Sequence, residues 1–242
     1  MTRFPILLTN DDGINSPGLQ DLASSLHSLG HPIAILAPLT EQSAVGMKLT
    51  LRDDMAFEEH TDIAEKIRTE ESAPLRAFSL DGSPCDCVIV AIDGGLRSWA
   101  PEIRPWLCIS GINRGPNLSV DVLHSGTVSA AREASLYGLP SLSVSLATYS
   151  HQDYSQSIEA TLALVERLSA LVTVEPSNIL RPEGSRTRPI EGTGPNSLRS
   201  WFMQGNMFLN LNIPENWNGT FQTVPLGARW YHNATDMIDQ KS

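Results

Sequence analysis

The chain has 242 residues and a formal net charge of −10, from 17 Lys and Arg against 27 Asp and Glu, and 41% of its residues are hydrophobic. This is enough for one α/β domain with a substantial core, and the acidic charge argues against duplex nucleic acid as a partner, because a phosphate backbone needs a basic surface. No stretch is long and apolar enough to span a bilayer, and the N-terminus lacks the apolar segment of a signal peptide, so we expect a cytoplasmic protein without a membrane partner.

The N-terminal residues predict a β-α-β unit. The apolar run from Phe4 to Thr9 indicates a buried strand. Ser16 and Pro17 then begin a helix, with Ser16 at the N-cap and Pro17 at the first helical position, and Gly30 ends it. A second apolar run from Pro32 to Ala37 indicates another buried strand. Buried strands joined by a helix predict a parallel sheet that is covered on both faces.

Strands and helices continue to alternate along the rest of the chain. Residues 38–50 form a polar loop, and residues 52–75 are charged and weakly periodic, which indicates short strands or a surface excursion. The further predicted elements are a helix after the turn at 81–84, a strand at 106–109 that ends in a Gly-, Asn- and Ser-rich segment, a helix over 128–137, a strand at 141–147, an amphipathic helix over 157–172 and a strand at 207–214.

These elements predict a single α/β domain over residues 1–242. Residues 1–173 carry the regular alternation of strands and helices and form the expected core. Residues 174–206 are expected to be an insertion or loop, because most of this stretch is rich in Pro, Gly, Arg and Ser. Residues 207–242 are expected to form one strand and a C-terminal tail.

The three cysteines, Cys85, Cys87 and Cys108, do not indicate a disulfide framework, because their number is odd. Cys85 and Cys87 also lack the C-x-x-C spacing of a zinc or redox site. We expect all three to be small buried hydrophobic residues.

Three polar, glycine-containing segments each follow a predicted buried strand: TNDDG, PLTEQSAVG and SGINRGPN. Ligands bind at the carboxyl ends of the strands in an open parallel sheet, so these segments should converge. They bring the adjacent carboxylates of Asp11 and Asp12, the hydroxyl of Ser43 and the amide oxygen of Asn113. Adjacent carboxylates repel unless a cation lies between them, and such oxygen donors suit Mg²⁺, Mn²⁺ or Ca²⁺. The sequence therefore predicts a site for a hard divalent cation.

The segment HSGT at residues 124–127 lies directly before a predicted helix, where hydroxyls and free backbone N–H groups form an anion site. A cation beside an anion site indicates phosphoryl chemistry, in which the metal polarises a P–O bond, activates a water, or does both. His124 itself has two interpretations: a general acid or base, or a residue that stacks in the pocket wall.

Other phosphate-binding motifs do not match. The dinucleotide fingerprint G-x-G-x-x-G is absent after the first strand, and no P-loop is present. The haloacid-dehalogenase pattern needs two aspartates one residue apart, whereas Asp11 and Asp12 are adjacent. The strand ending at Asp93 is similar to the phosphoacceptor strand of receiver domains, but Asp93 comes too late in the chain for that fold.

The sequence resembles the SurE family of 5′-nucleotidases from about Pro5 to about Leu146, and again at 209–214. The resemblance rests on ILLTNDDGINSPGLQDLA, LAPLTEQSAVGMKLTL, DGSPCDCV and SGINRGPNLSVDVLHSGTVSAAREASLYGLPSLSVSL, in that order. It implies a Rossmann-like three-layer α/β/α fold with a mostly parallel sheet, and a homodimer or homotetramer in which a C-terminal extension is often exchanged. By comparison we expect the extension of this chain to be shortened.

The resemblance also implies the reaction: hydrolysis of nucleoside 5′-monophosphates to nucleoside and phosphate, with Asp11 and Asp12 as catalytic residues. The implied ligands of one Mg²⁺ or Mn²⁺ ion, for which Ca²⁺ could substitute in a crystal, are Asp11, Asp12, Ser43 and Asn113. The implied phosphate-binding positions are Asn10, Asn117, Ser125, Gly126 and Thr127.

Several points stay open at this stage. The nucleophile is either a water or Asp11 itself. A member of the family that binds metal or nucleotide without turnover is the alternative to an enzyme, and a scaffold with an inert acidic loop is a third reading. The chain departs from the family pattern at Ala44 and Ser119, where glycine is common, and at His124, where tyrosine is usual.

Overall fold

The computed structural model describes residues 3–173, 175–176, 179–180, 195–228 and 231, and the strands within this part form a seven-stranded sheet. The order across the sheet is β3-β4-β2-β1-β5-β6-β7, and every neighbouring pair is parallel except β3 with β4. The strands are β1 (Ile6–Thr9), β2 (Ile33–Pro38), β3 (Phe57–Glu59), β4 (Leu75–Leu80), β5 (Leu107–Arg114), β6 (Ser141–Leu146) and β7 (Leu209–Ile213).

Helices cover both faces of the sheet, as the predicted α/β/α architecture requires. One face packs on α1 (Pro17–Ser28), α2 (Thr61–Ile67) and α7 (Ser155–Leu168), and the other on α3 (Pro84–Val90), α4 (Leu96–Trp99) and α6 (Gly126–Leu136). Side chains along a strand point to alternate faces, and accordingly Ile6 and Leu8 belong to the first core while Leu7 belongs to the second. The predicted fold class is confirmed.

The predicted β1-α1-β2 unit is confirmed, including the helix start at Pro17 and the glycine after its end, Gly30, which adopts a φ of +82°. β3, α2 and β4 were not predicted individually. Residues 52–75 contain β3 and α2, and β4 begins at Leu75. The interior of β4 is buried against β2, so its strand conformation depends on pairing more than on local pattern.

The strand β5 runs further than the sequence indicates. It was expected to end near residue 109 but continues to Arg114, through the glycine- and asparagine-containing segment. The reason is its pairing with neighbouring strands, because β1 pairs with it as far as Ser110 and β6 pairs with Asn113 and Arg114. A register shift against β6 between Ser110 and Asn113 marks a bulge near the end of the strand.

The segment expected to be an insertion or loop contains a helix, α8 (Pro195–Met203), so the loop prediction is wrong for that part. Phe202 is buried and joins the first core, which explains why this stretch is helical. Residues 174, 177–178 and 181–194 lie outside the described residues. The predicted strand at 207–214 is confirmed as β7, and residues 214–228 contain no regular helix or strand.

Two further expectations concern the described residues as a whole. Cys85, Cys87 and Cys108 are free and buried, as predicted. None of the helices in the described part of the chain has the length and apolar character needed to cross a membrane.

The sheet topology determines where a ligand can bind. From β1 the chain passes to β2 on one side, while β5 lies on the other side of β1. A crevice forms at such a switch point, outside the carboxyl ends of the strands. The segments after β1 and β2 and the end of β5 therefore meet at one edge of the sheet.

Candidate active site

The turn after β1 is shaped by Asn10, which is completely buried. Its amide nitrogen donates to the Gly13 carbonyl at 3.0 Å, and its amide oxygen accepts from the Gly13 N–H at 3.1 Å. Gly13 has a φ of +92°, which side chains other than glycine rarely adopt. Asn10 thus closes the turn that presents Asp11 and Asp12, and it lies behind the cavity lining.

Asp11, in the turn after β1, contacts the N-terminus of α6 and is only 3% exposed. The Thr127 N–H donates to Asp11 Oδ2 at 3.0 Å, and the Thr127 hydroxyl donates to Asp11 Oδ1. Burial raises the pKa of Asp11, whereas the Thr127 bonds act to lower it. A carboxylate at a helix N-terminus also interacts favourably with the helix dipole.

The glycine at position 126 permits this close approach. A Cβ atom at Gly126 would lie 2.7 Å from Asp11 Cβ and 3.0 Å from its Oδ2. Gly126 and Thr127 therefore hold Asp11 from behind, and neither lines the cavity in front of it.

Asp12 carries the most unusual polar atom in this region. Its Oδ2 is buried and has no hydrogen-bond partner among the described residues. Burial, and then the charge of Asp11, raise the pKa of Asp12 to about 7. A buried acceptor without a partner costs roughly 1–3 kcal/mol, and a bound cation would remove that cost.

The other two expected metal ligands, Asn113 and Ser43, lie at the same cavity as the two aspartates. Asn113 donates from its amide nitrogen to the Gly115 carbonyl at 2.9 Å, which turns its amide oxygen towards Thr127, with Oδ1 3.2 Å from Thr127 Oγ1. Ser43 is exposed and donates to Glu41 Oε1 at 2.7 Å. Both residues line the same cavity as Asp11 and Asp12.

These residues fit a hard cation by their chemistry. Two carboxylates, an amide oxygen and a hydroxyl are all oxygen donors, and Mg²⁺ takes few protein ligands and retains water. The described residues contain no group of three or more His, Cys, Asp and Glu arranged to hold a metal, so a site rich in nitrogen or sulfur donors is not indicated there. The buried, unpaired Asp12 oxygen is the observation that favours a cation.

The cavity at the strand ends has a volume of about 680 Å³. Besides the four expected metal ligands it is lined by Asn117, Ser125 and His124, so most of the predicted site is brought together. Ser125 is the N-cap of α6, and its oxygen accepts from the Val128 N–H at 3.1 Å. His124 is exposed at the rim, where its carbonyl accepts from the Gly46 N–H, and its role stays open.

Asn117 is held by residues that the sequence analysis missed. Its amide nitrogen donates to Ser145 Oγ at 2.9 Å, and its N–H donates to Asn212 Oδ1 at 2.8 Å. Its carbonyl accepts from the side chains of Asn210 and Asn212. The asparagines at alternate positions of β7 could have indicated a polar contact on one face of the sheet, because both side chains lie on the same face of the strand.

The structure also adds Arg114, Tyr149, Gln152 and Tyr154 to the cavity lining. Arg114 is the one Lys or Arg residue among the lining residues that the structure describes. Burial and the charge of Asp12 raise the pKa of Tyr154. The segment 147–154 follows the carboxyl end of β6. The expectation that ligands bind at the carboxyl ends of the strands, applied to β6 as well, would have predicted these residues.

At two positions where the chain departs from the family pattern, the backbone has a conformation that favours glycine. Ala44 has a φ of +56° and Ser119 a φ of +55°, both in the left-handed region. An L-residue there costs roughly 1–2 kcal/mol, whereas glycine adopts this conformation freely. This explains why glycine suits both positions.

Comparison with known proteins agrees with this geometry. The sequence profile of the family described as "Survival protein SurE" matches residues 6–234. A protein named 5′-nucleotidase SurE from Synechococcus sp. (strain JA-3-3Ab) is 42% identical over 165 residues, which cover 68% of this chain and 59% of the relative. The 5′-nucleotidase SurE of Syntrophotalea carbinolica is 42% identical over 166 residues, with the same two shares.

A solved structure shows the same fold. The crystal structure of the SurE protein from Aquifex aeolicus matches with a TM-score of 0.61 at 29% identity, covering 88% of this chain and 66% of that chain. The matched part of this chain spans about three fifths of the length of the two curated relatives. The profile match, the relatives and the shared fold together show that the chain belongs to the SurE family.

Proposed function

We propose that the protein is a divalent-metal-dependent phosphatase that hydrolyses nucleoside 5′-monophosphates to nucleoside and phosphate. The observation that carries the proposal is the buried, unpartnered oxygen of Asp12 beside Asp11, at the switch point of the sheet. The printed names of the relatives, 5′-nucleotidase SurE, support the same reaction.

Asp11, Asp12, Ser43 and Asn113 are the proposed ligands of one Mg²⁺ or Mn²⁺ ion. When bound, such an ion would polarise the phosphoryl group and offset the charge that develops on it. The chain fixes Asp11 through Thr127 and Asn113 through Gly115, so two of the four donors are preorganised before any ligand binds. Ser43 is held less tightly, through Glu41 on an exposed loop.

The proposed phosphate contacts line the same cavity as these donors. Ser125 accepts from Val128, and its hydroxyl hydrogen can donate to an anion at the start of α6. Asn117 and Arg114 line the same cavity and can supply further donors. Such donors stabilise negative charge best when they are already in place, because no reorganisation is then needed during the reaction.

We take a water as the nucleophile and Asp11 as a ligand of the metal ion. Each carboxylate oxygen of Asp11 accepts one hydrogen bond from Thr127, and its second lone pair is available to a cation. Attack by Asp11 would leave an aspartyl phosphate, and trapping that species during turnover would contradict the water route.

The test is phosphate release from a panel of nucleoside 5′-monophosphates with Mn²⁺, with Mg²⁺ and after chelation by EDTA. We expect release that depends on the metal, and an Asp11→Asn variant that folds but loses at least about 10³-fold in kcat. Asp21→Asn is the matched control, because Asp21 is an exposed carboxylate on α1 and does not line the cavity.

Each outcome has a clear meaning. A folded and active Asp11→Asn enzyme would refute the assignment. Nucleotide or metal binding without release would identify the non-catalytic alternative, and absence of both would favour a scaffold.

We further propose that the protein acts in the cytoplasm as a homodimer or homotetramer. This rests on the family resemblance, and analytical ultracentrifugation of the full chain measures the assembly. A monomer at micromolar concentration would contradict it.

A further inference from the structure

Tyr149 is a large aromatic side chain that is 64% exposed and lines the strand-end cavity. Aromatic residues of this size are usually at least half buried, because they contribute much apolar surface to a core. An exposed tyrosine facing a polar cavity therefore suggests a surface for a flat ligand.

The ring of Tyr149 has a defined position on Gly115. A Cβ atom at Gly115 would lie 2.2 to 2.6 Å from three atoms of the Tyr149 side chain, so the ring rests directly on the glycine backbone. Gly115 also has a φ of +106°, which favours glycine independently. The side of the ring that carries Cε1, Cζ and the hydroxyl thus lies against backbone.

The loop that carries Tyr149 is attached on both sides of it. The hydroxyls of Thr148 and Ser150 both donate to Glu215 Oε1, on the segment after β7. The N–H of Ala147 donates to the Ile213 carbonyl at 2.8 Å. A platform fixed in this way loses little conformational entropy when a ligand stacks on it.

The backbone of Tyr149 lies close to a proposed phosphate contact. Arg114 directly follows Asn113 on β5, and its Nη2 is 3.5 Å from the Tyr149 carbonyl oxygen. The lining of the cavity thus combines carboxylate and amide oxygens with an aromatic side chain. A nucleoside monophosphate has the matching form, with an anionic group at one end and a flat ring at the other.

We infer that Tyr149 is the stacking platform for the nucleobase of the substrate and makes the enzyme select nucleotides over sugar phosphates. The inference rests on the proposed function and extends it to the substrate's base. Gln152 lines the same cavity and can offer amide groups to the edge of the base. Stacking tolerates every base because each has a π-face, so it selects for the presence of a base more than for its identity.

The test compares adenosine 5′-monophosphate with ribose 5-phosphate, which carries the same phosphate and sugar without the base. In Tyr149→Ala we expect the ratio of the two kcat/KM values to fall about tenfold, mainly through KM for the nucleotide. Tyr149→Phe should keep the ratio, because the ring remains. Leu123→Ala, an exposed apolar residue outside the cavity lining, should also keep it.

Adenosine binding measured by calorimetry separates this inference from the reaction itself, because it needs no turnover. Weaker adenosine binding in Tyr149→Ala but not in Tyr149→Phe supports the platform. An unchanged substrate ratio together with unchanged adenosine affinity would overturn it. Failure to release phosphate from any ester would contradict the proposed function, while calorimetry would still decide on Tyr149.

Discussion

Thr127 determines how Asp11 is presented, although it does not line the cavity itself. Its backbone N–H and its hydroxyl both donate to the Asp11 carboxylate. Its hydroxyl oxygen is also 3.2 Å from Asn113 Oδ1, and one hydroxyl hydrogen can be donated to only one of the two acceptors at a time. Hydrogen bonds to charged groups contribute roughly 1.5–3 kcal/mol.

Replacing Thr127 by valine should therefore destabilise the protein by about 2 kcal/mol, since it removes a donor from a buried carboxylate and keeps the shape of the side chain. Urea unfolding measures the loss. Thr127→Ser is the control, because it retains the hydroxyl. Equal stability of the valine variant and the wild-type protein would show that the hydroxyl contributes nothing.

At the scale of elements, the loop that carries Ser43 is attached to the rest of the fold at several points. The Gln42 N–H donates to the Asp11 carbonyl at 2.7 Å, and the Gly46 N–H donates to the His124 carbonyl at 2.8 Å. Another attachment is to α3, where Asp86 accepts from the N–H and the hydroxyl of Thr50. Asp86 also completes the capping box with Ser83 at the start of α3.

Asp86 thus connects a helix cap to the loop with a proposed metal ligand. We expect Asp86→Ala to cost about 2 kcal/mol or more in stability, because it removes the acceptor of several hydrogen bonds. We also expect a higher Mn²⁺ concentration for half-maximal phosphate release, because the loop of Ser43 is less restrained.

Thr50→Val is the matched control for this prediction, since it removes only the hydroxyl bond between the loop and Asp86. Thermal unfolding and a Mn²⁺ titration are measured on both variants. A stability loss in Asp86→Ala with an unchanged Mn²⁺ requirement would show that Asp86 stabilises the fold without positioning Ser43.

The strands and helices also show how much of the fold can be predicted from the sequence. The β1-α1-β2 unit and the convergence of the polar segments followed from local signals: apolar runs, Pro17 at a helix start and glycines at turns. The extension of β5 to Arg114 did not, because glycine and asparagine favour loops in the absence of strand pairing, and the end of this strand is paired with β6. The Asp11–Thr127 contact joins residues 116 positions apart and has no local signal.

At the scale of the whole molecule, the three thiols report on global stability. Cys85 and Cys87 are buried in α3, and Cys108 is buried in β5. Burial raises the pKa of Cys108 to about 12 and that of Cys85 also to about 12. Since the thiolate is the reactive form, native thiols at pH 8 should be protected twice, by burial and by protonation.

We therefore expect the native protein to show no rapidly reacting thiol towards a disulfide reagent at pH 8, and three after unfolding in urea. The reaction rate at intermediate urea concentrations should follow the unfolding curve measured by circular dichroism. One thiol that reacts well before the global transition would reveal local opening of α3 or of β5.

The central position of β1 has a consequence for the order in which the protein is made. Asp11 leaves the ribosome 116 residues before Thr127, which holds it, and the strand on the β5 side of β1 ends at Arg114. Over that interval the nascent chain carries two adjacent carboxylates without the donors of Thr127. A nascent chain that stops before β5 could pair β1 with β2 and yet lack Asn113, so metal binding should begin only after β5 is made and mark the completion of the sheet's centre.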